Sequence, residues 1–368
     1  MKKILALLLS LVMVFGLVAC GNTNDGGEST PPATTPGADG EFDYSQLKIG
    51  VVMPEADHGF TGESIAHARA ELEAQAAEKG FEYKIETQGE AADQIAAIEN
   101  MLASLEPDVI ILWPTEGDQL RNAAQTIVDA GVKLVIYDRL IEGFEGMSAE
   151  IMGDNETIGQ WMGEYLVKYF ADDDQVNYLR FIGDSSTVTS QRSGGMDGAI
   201  EEAGQTDKFN QMTSEFVTNW SASTAQEQME NWLNSASADE IASLDLIVTH
   251  DDEIVDGVTI ALQNYYNNNP DSGLNVKLIT GVGARKETLA TYDNTVANGI
   301  ELVTYFFSPS FARNAIRLGI AAAAGEQYDG QDINGQLFLI PSKEVDKNNV
   351  DEFRASDEFA ERYSVTLD

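Results

Sequence analysis

Short apolar runs alternate with helix-like stretches from residue 47 onward, and this alternation restricts the fold of the chain more than any other feature. "LKIGVVM" (47–53) has the composition of a buried strand. The next stretch places Ile65, Ala68 and Leu72 on one helical stripe and is expected to end at Gly80. Strand–helix–strand repeats of this length require right-handed crossovers between parallel strands. The pattern therefore predicts a doubly wound α/β sheet.

The same alternation starts again after "IMGDN" (151–155). The strand-like runs of this second series are "VNYLRFIG" (176–183), "LDLIVTH" (244–250), "VKLITG" (276–281) and "ELVTYFF" (301–307). Two successive series of this kind predict two similar α/β lobes, with the boundary near Gly153.

The N-terminus has the pattern of an export signal. Lys2 and Lys3 precede the uncharged apolar stretch 4–18, and a small residue stands directly before Cys20. This arrangement resembles a bacterial lipoprotein signal, in which residues 1–19 are removed and lipid is attached to the sulfur of Cys20. The alternative is an uncleaved transmembrane anchor, but the apolar stretch is shorter than the roughly 20 residues that a spanning helix needs.

The composition of the next segment and the net charge narrow the possible partners. Residues 20–43 are rich in Gly, Thr, Pro and acids and predict a flexible linker between the lipid and the folded part. Cys20 is the only cysteine, so no disulfide within the chain is expected. The formal charge is −39, and it becomes −41 without Lys2 and Lys3. Such a surface repels phosphate backbones, so we expect no nucleic-acid binding and a membrane contact through lipid alone.

Polar and aromatic residues gather where the predicted strands end. In open parallel sheets, ligands bind beyond the carboxyl ends of the strands. The segments at those ends are "PEADHGF" (54–60), "PTEGD" (114–118), "DR" (138–139), "DSSTVTSQR" (184–192), "NW" (219–220), "HDDE" (250–253), "GVGARK" (281–286) and "FSPS" (307–310). Taken alone, Asp138 and Arg139 could be a surface ion pair, but their place in this series predicts a binding edge shared by both lobes.

The ordered set of motifs resembles the ribose/galactose-type periplasmic binding proteins, the type I monosaccharide receptors of ABC transporters. The segments that carry the resemblance are "IGVVMPEADHGF", "DVIILWPT", "LVIYDR", "DDEIVDGVTIAL" and "IPSKEVDKNNVDEF". The resemblance implies two lobes joined by three hinge strands, with residues 44–153 plus about 308–330 in the first lobe and 154–307 plus about 331–368 in the second. It also implies a monomeric receptor without cofactor, metal or enzymatic activity, which serves an ABC permease on the outer face of the cell membrane.

The resemblance also assigns candidate ligand contacts. In this family aromatic rings pack on the faces of the sugar, and carboxylates and guanidinium groups pair with its hydroxyls. The matching positions are Asp57, Phe60, Asp138, Arg139, Arg192, Trp220, Asp251 and Phe307. Alternative interpretations remain for some of them: Phe60 and Trp220 could be core aromatics, and Asp57 could be an exposed loop acid.

Two departures from the family pattern leave the ligand open. The chain has Gly281-Val282-Gly283 where the family often has an aspartate, and Phe307 where an amide is usual. These changes put ribose, galactose and glucose in doubt and leave a deoxy sugar, another monosaccharide or a different small polar ligand. The alternative functions are a receptor of the same fold for a non-sugar signal or a nucleoside and, further away, an extracytoplasmic enzyme that acts on glycosides.

Overall fold

The computed structural model describes residues 42–290 and 299–365. The predicted signal peptide, Cys20 and the linker up to residue 41 therefore lie outside the described residues. No helix in the described part of the chain is long and apolar enough to span a membrane.

The first lobe is built on a six-stranded parallel sheet. Its strands are β1 (Lys48–Pro54), β2 (Glu82–Gln88), β3 (Val109–Leu112), β4 (Lys133–Tyr137), β5 (Ala149–Gly153) and β12 (Leu337–Ile340). Their order across the sheet is β12-β5-β4-β3-β1-β2. The central strands β3 and β4 are almost wholly apolar and buried, as strands covered by helices on both faces must be.

The second lobe has a similar sheet. Its strands are β6 (Val176–Ile182), β7 (Phe209–Gln211), β8 (Phe216–Val217), β9 (Leu244–Thr249), β10 (Leu278–Gly283), β11 (Glu301–Phe306) and β13 (Glu344–Val345). Their order is β13-β11-β10-β9-β6-β7, and β8 also pairs with β6. All the pairings are parallel except that of β11 with β13. The predicted architecture of two doubly wound α/β lobes is confirmed.

Helices cover both sheets. The α-helices whose two ends both lie among the described residues are α1 (Gly59–Lys79), α2 (Ala91–Ser104), α3 (Gly117–Asp129), α4 (Asn155–Tyr169), α5 (Thr187–Glu202), α6 (Ala222–Ser235), α7 (Ala238–Ser243), α8 (Asp252–Asn268), Phe311–Ala324, Val350–Arg354 and Asp357–Arg362. Helix α1 ends as the sequence predicts, because Gly80 takes the left-handed conformation (φ 84°) and its N–H bonds the carbonyl of Ala76.

Within the described residues, the chain passes between the two sheets three times. It crosses after β5, between β11 and the helix Phe311–Ala324, and between β12 and β13. One segment differs from the sequence expectation, which placed everything after about residue 331 in the second lobe. Leu337–Ile340 instead extends the first sheet beside β5, and the chain returns to the second lobe only afterwards. This strand is an edge strand with alternating exposure, so its sequence carries no strong signal for either sheet.

Candidate functional site

The carboxyl ends of the strands of both lobes face each other across a cavity. It encloses about 370 Å³ of space between atoms, part of it continuous with solvent. The residues that line it are His58, Phe60, Trp113, Asp138, Arg139, Val188, Arg192, Trp220, Asp251 and Phe307. Each follows a strand directly or lies in the loop or helix that begins there, as expected for a doubly wound fold.

Seven of the eight residues predicted from the sequence line this cavity. The structure does not bring Asp57 to it: this carboxylate is 69% exposed and accepts a hydrogen bond of 2.9 Å from the Thr61 hydroxyl. Its neighbour His58 lines the cavity instead, and burial lowers the pKa of the imidazole, which favours the neutral ring. Whether any of these side chains touches a ligand stays a prediction.

Aromatic rings form the apolar walls of the cavity. In the first lobe, the ring of Phe60 lies 5.9 Å from that of Trp113, edge to face. It also lies 5.3 Å from the ring of Phe307, which follows β11 of the second lobe. From the second lobe comes Trp220, which is 8% exposed and lies flat against the backbone of Gly183. Because Trp113 ends the apolar run "DVIILW", its sequence pattern is that of a core residue and does not indicate a binding site.

Arg192 supplies a buried positive charge in the cavity. It is 2% exposed, its Nε donates to Asn155 Oδ1 at 2.8 Å, and its Nη1 donates to the carbonyl of His250. Its guanidinium group lies 4.7 Å from the centre of the Phe307 ring. Burial lowers the pKa of Arg192 to about 10, although Asp251 and Asp138 act in the opposite direction. Among the described residues Nη2 has no hydrogen-bond acceptor, so it is free to donate to a ligand.

Asp138 is held at the end of β4 in an unusual conformation. Its φ of 65° is uncommon for a residue other than glycine, and its N–H donates to the carbonyl of Ile151 at 2.9 Å. The residue is 4% exposed, and burial raises the pKa of the carboxyl group to about 6 against the opposing effect of Arg139 and Arg192. The indole N–H of Trp113 lies near this carboxyl group but makes no hydrogen bond of ordinary geometry.

Asp251 offers a second carboxyl group from the opposite lobe. It is the N-cap of α8, where its Oδ1 accepts from the N–H of Glu253 at 2.7 Å. Burial first, and then the nearby carboxylates of Glu253 and Asp252, raise the pKa of Asp251 to about 8. The cavity thus holds two carboxyl groups whose ionised forms are disfavoured by burial. Carboxyl groups with raised pKa values are common where a protein binds or transforms a ligand.

The glycines that depart from the family pattern form the end of β10 and make room for Asp252. A Cβ on Gly281 would lie 2.5 Å from Asp252 Oδ1. The carboxylate of Asp252 is fully buried and accepts from Thr304 Oγ1 at 2.7 Å and from the N–H of Arg285 at 2.8 Å. Asp252 therefore supports the loop behind the cavity and does not line it.

The chemistry of the cavity suits binding of a small polar molecule with apolar faces. Aromatic rings can pack on C–H-rich faces, while the carboxyl groups and guanidinium groups can pair with hydroxyls. Among residues 42–290 and 299–365, no group of three or more His, Cys, Asp or Glu side chains is placed to hold a metal ion.

Comparison with known proteins identifies relatives of the chain. A family model described as a periplasmic binding protein domain matches residues 49–327. The chain is 24% identical over 285 residues to a D-xylose-binding periplasmic protein of Haemophilus influenzae, with 75% of this chain and 80% of that protein covered.

Among the solved structures that share this fold are two with bound ligands. One is an ABC transporter solute-binding protein from Bacillus halodurans with bound myo-inositol (TM-score 0.68, 22% identity, 85% of this chain and 99% of that chain covered). The other is from Mycobacterium smegmatis, in complex with β-D-fucofuranose (TM-score 0.71, 16% identity, 87% and 97% covered).

Proposed function

Because the chain belongs to the periplasmic binding protein family, we propose that it is an extracytoplasmic solute receptor. It binds a monosaccharide or a related polyhydroxylated ligand and delivers it to an ABC import permease by closure of its two lobes. The observation that carries this proposal is the cavity itself, to which both lobes contribute aromatic walls and charged groups. A ligand that contacts both lobes stabilises the closed form over the open one, and a permease can recognise that difference.

The types of residue in the cavity favour a sugar over other small molecules. A sugar ring presents C–H faces that pack on Phe60 and Trp220, and hydroxyls at its rim that both donate and accept. Asp138 and Asp251 accept from such hydroxyls, and the unused Nη2 of Arg192 donates to them.

We infer that the ligand is a sugar with few hydroxyls, such as a pentose or a deoxy sugar. Phe307 presents an apolar ring where the family resemblance implies an amide, and this ring packs against Phe60 at 5.3 Å. A hydroxyl directed at this wall would lose its hydrogen bonds to water without gaining a partner. The Haemophilus influenzae relative is named a D-xylose-binding protein, so D-xylose is the first ligand to test.

Thermal unfolding of the purified chain with and without added solutes tests this function. We expect D-xylose or another pentose to stabilise the protein, by about 2.7 kcal/mol when the ligand is present at a hundred times its Kd. D-glucose, myo-inositol and a set of nucleosides serve as comparisons. Stabilisation by nucleosides alone would mean that the ligand is a nucleoside and not a sugar. If none of these solutes stabilises the protein, the proposal is contradicted.

We further propose that the protein binds without catalysis. The adjacent acids Asp251 and Asp252 are the pair that a hydrolase could use, but their side chains diverge. One caps α8 and lines the cavity, whereas the other bonds Thr304 and Arg285 behind it. Release of sugar from glycosides by the purified chain would contradict this part of the proposal.

Attachment to the outer face of the cell membrane through Cys20 is also proposed, on the basis of the N-terminal sequence. We expect Cys20→Ala to move the protein from the membrane fraction to the soluble fraction, because the lipid is the only membrane contact that this acidic chain is predicted to make. Cell fractionation with mass determination of the N-terminus measures both effects. Membrane retention of an uncleaved Cys20→Ala protein would instead identify residues 4–18 as a transmembrane anchor.

A further inference from the structure

Asp184, the residue after Gly183 at the end of β6, makes hydrogen bonds to both lobes. Its Oδ2 accepts from Arg139 Nη2 of the first lobe and from Trp220 Nε1 of the second, each at 2.9 Å. Its Oδ1 accepts from the N–H of Ser186 at 2.9 Å, which fixes the carboxylate on its own loop. A single carboxylate thus joins a guanidinium group on one side of the cavity to an aromatic wall on the other.

The contact between the lobes is extensive at this point. Arg139 is anchored in the first lobe, where its Nη1 donates to the carbonyl of Thr115 at 2.5 Å. The N–H of Leu140 donates across the cleft to the hydroxyl of Thr187 at 3.3 Å. The side chains of Arg139 and Asp184 are only 14% and 19% exposed, so water screens their attraction less than it does at a protein surface.

We propose that Asp184 is a positioning residue that clasps the two lobes together in the closed form by holding Arg139 across the cleft and Trp220 in place. This inference rests on the proposed function, since it assumes that closure of the lobes retains the ligand. Arg139 and Trp220 both line the cavity, and Arg139 carries five N–H donors, of which Asp184 and Thr115 accept two. The same two side chains can therefore contact the ligand and the clasp together, which couples occupancy to closure.

The electrostatics of Asp184 favour the clasp in spite of the cost of burial. Burial alone would raise the pKa of this carboxyl group, but Arg139 first, and then the hydrogen bonds from Ser186 and Trp220, outweigh it, so that the pKa is lowered. The closed form therefore stabilises the ionised carboxylate more than water does. When the lobes separate, Arg139 moves away with the first lobe and this stabilisation is lost.

Asp184→Asn tests the clasp, because it removes the negative charge and keeps the size of the side chain. We expect D-xylose to dissociate about tenfold faster from this variant while its association rate stays unchanged, since a charge-assisted hydrogen bond that forms only on closure acts on the dissociation rate. Stopped-flow tryptophan fluorescence on the full chain measures both rates. An unchanged dissociation rate in this variant would overturn the clasp.

Asp197→Asn is the matched control. Asp197 forms an ion pair with the buried Arg180 at 2.5 Å, but both residues belong to the second lobe and neither lines the cavity. This variant loses an ion pair to a buried arginine without losing an interlobe contact. We expect its rates of D-xylose association and dissociation to stay within about twofold of wild type.

A distance measurement separates the clasp from the proposed function. Spin labels at the exposed positions Gln119 on α3 and Glu227 on α6, in a full chain that carries Cys20→Ser, report the separation of the lobes with and without D-xylose. We expect Asp184→Asn, but not Asp197→Asn, to shift the distribution toward longer distances. Coinciding distributions for the two variants overturn the clasp. If no sugar binds the wild type, the proposed function is wrong. The distance distributions measured without sugar then still show whether Asp184 holds the two lobes together.

Discussion

Arg192→Met is expected to lower the affinity for the sugar at least about 100-fold, because it removes a buried donor that lines the cavity. The methionine side chain keeps much of the apolar volume that packs on Phe307, so the change removes mainly charge and hydrogen bonds. The lowered pKa of Arg192 means that the folded protein holds this guanidinium group ionised at a cost in stability. A charge is kept at such a cost where a protein uses it to bind a ligand. Packing alone does not require a charge at this position.

Isothermal titration calorimetry with the sugar found by thermal screening measures this loss. Arg180→Met is the control, since Arg180 is equally buried at 3% exposure but bonds Asp197 and Glu215 away from the cavity. We expect the control variant to lose stability and keep its affinity within about twofold. Arg192→Lys adds a second measurement: it keeps the charge but not the planar fork and is expected to bind with intermediate affinity. Wild-type affinity in a folded Arg192→Met protein would exclude Arg192 as a ligand contact.

The sequence predicted much of the site because the fold places strand ends at one edge. A run such as "LVIYDR" contains both the buried strand and the polar residues that follow it, so finding the strand also locates Asp138 and Arg139. The strand-end segments of the second lobe contain Arg192, Trp220 and Asp251, and the family resemblance identified them as candidate contacts; each follows a strand or lies in the helix after it.

The sequence could not predict features that depend on how two distant segments meet. Asp57 and His58 are neighbours, and only the entry of the chain into α1 decides that the carboxylate faces solvent while the imidazole lines the cavity. Asp184 was among the polar residues at the strand ends, but its role depends on Arg139, 45 positions earlier, approaching across the cleft. Leu337–Ile340 was placed in the wrong sheet because a four-residue edge strand has no pattern of its own.

The close approach of Trp220 to Gly183 leads to the second large effect. A Cβ on Gly183 would lie 2.0 Å from Trp220 Cε2, whereas ordinary contact begins near 3.4 Å. The backbone of Gly183 is not in the left-handed region, so alanine is compatible with it, and the three atoms nearest to an added Cβ all belong to the Trp220 ring. The Trp220 ring is held in this position, because its Nε1 donates a hydrogen bond to Asp184 and because the backbone of Trp220 has an unusual φ of 61°. Relief of the clash must therefore push the ring toward the cavity.

Gly183→Ala is accordingly expected to weaken sugar binding by about 1–3 kcal/mol, through displacement of the stacking ring, and to destabilise the fold by a similar amount through overpacking. Gly198→Ala on the exposed face of α5 is the control, since a Cβ there meets nothing within 4 Å. It should leave affinity unchanged and stabilise the helix slightly. Calorimetric titration and thermal unfolding measure the two effects, and Trp220→Ala completes a double-mutant cycle. If Gly183→Ala weakens binding through the ring, it should cost little further affinity in the Trp220→Ala background. An equal loss in both backgrounds would mean that the added methyl group acts elsewhere and that Trp220 does not form the binding wall.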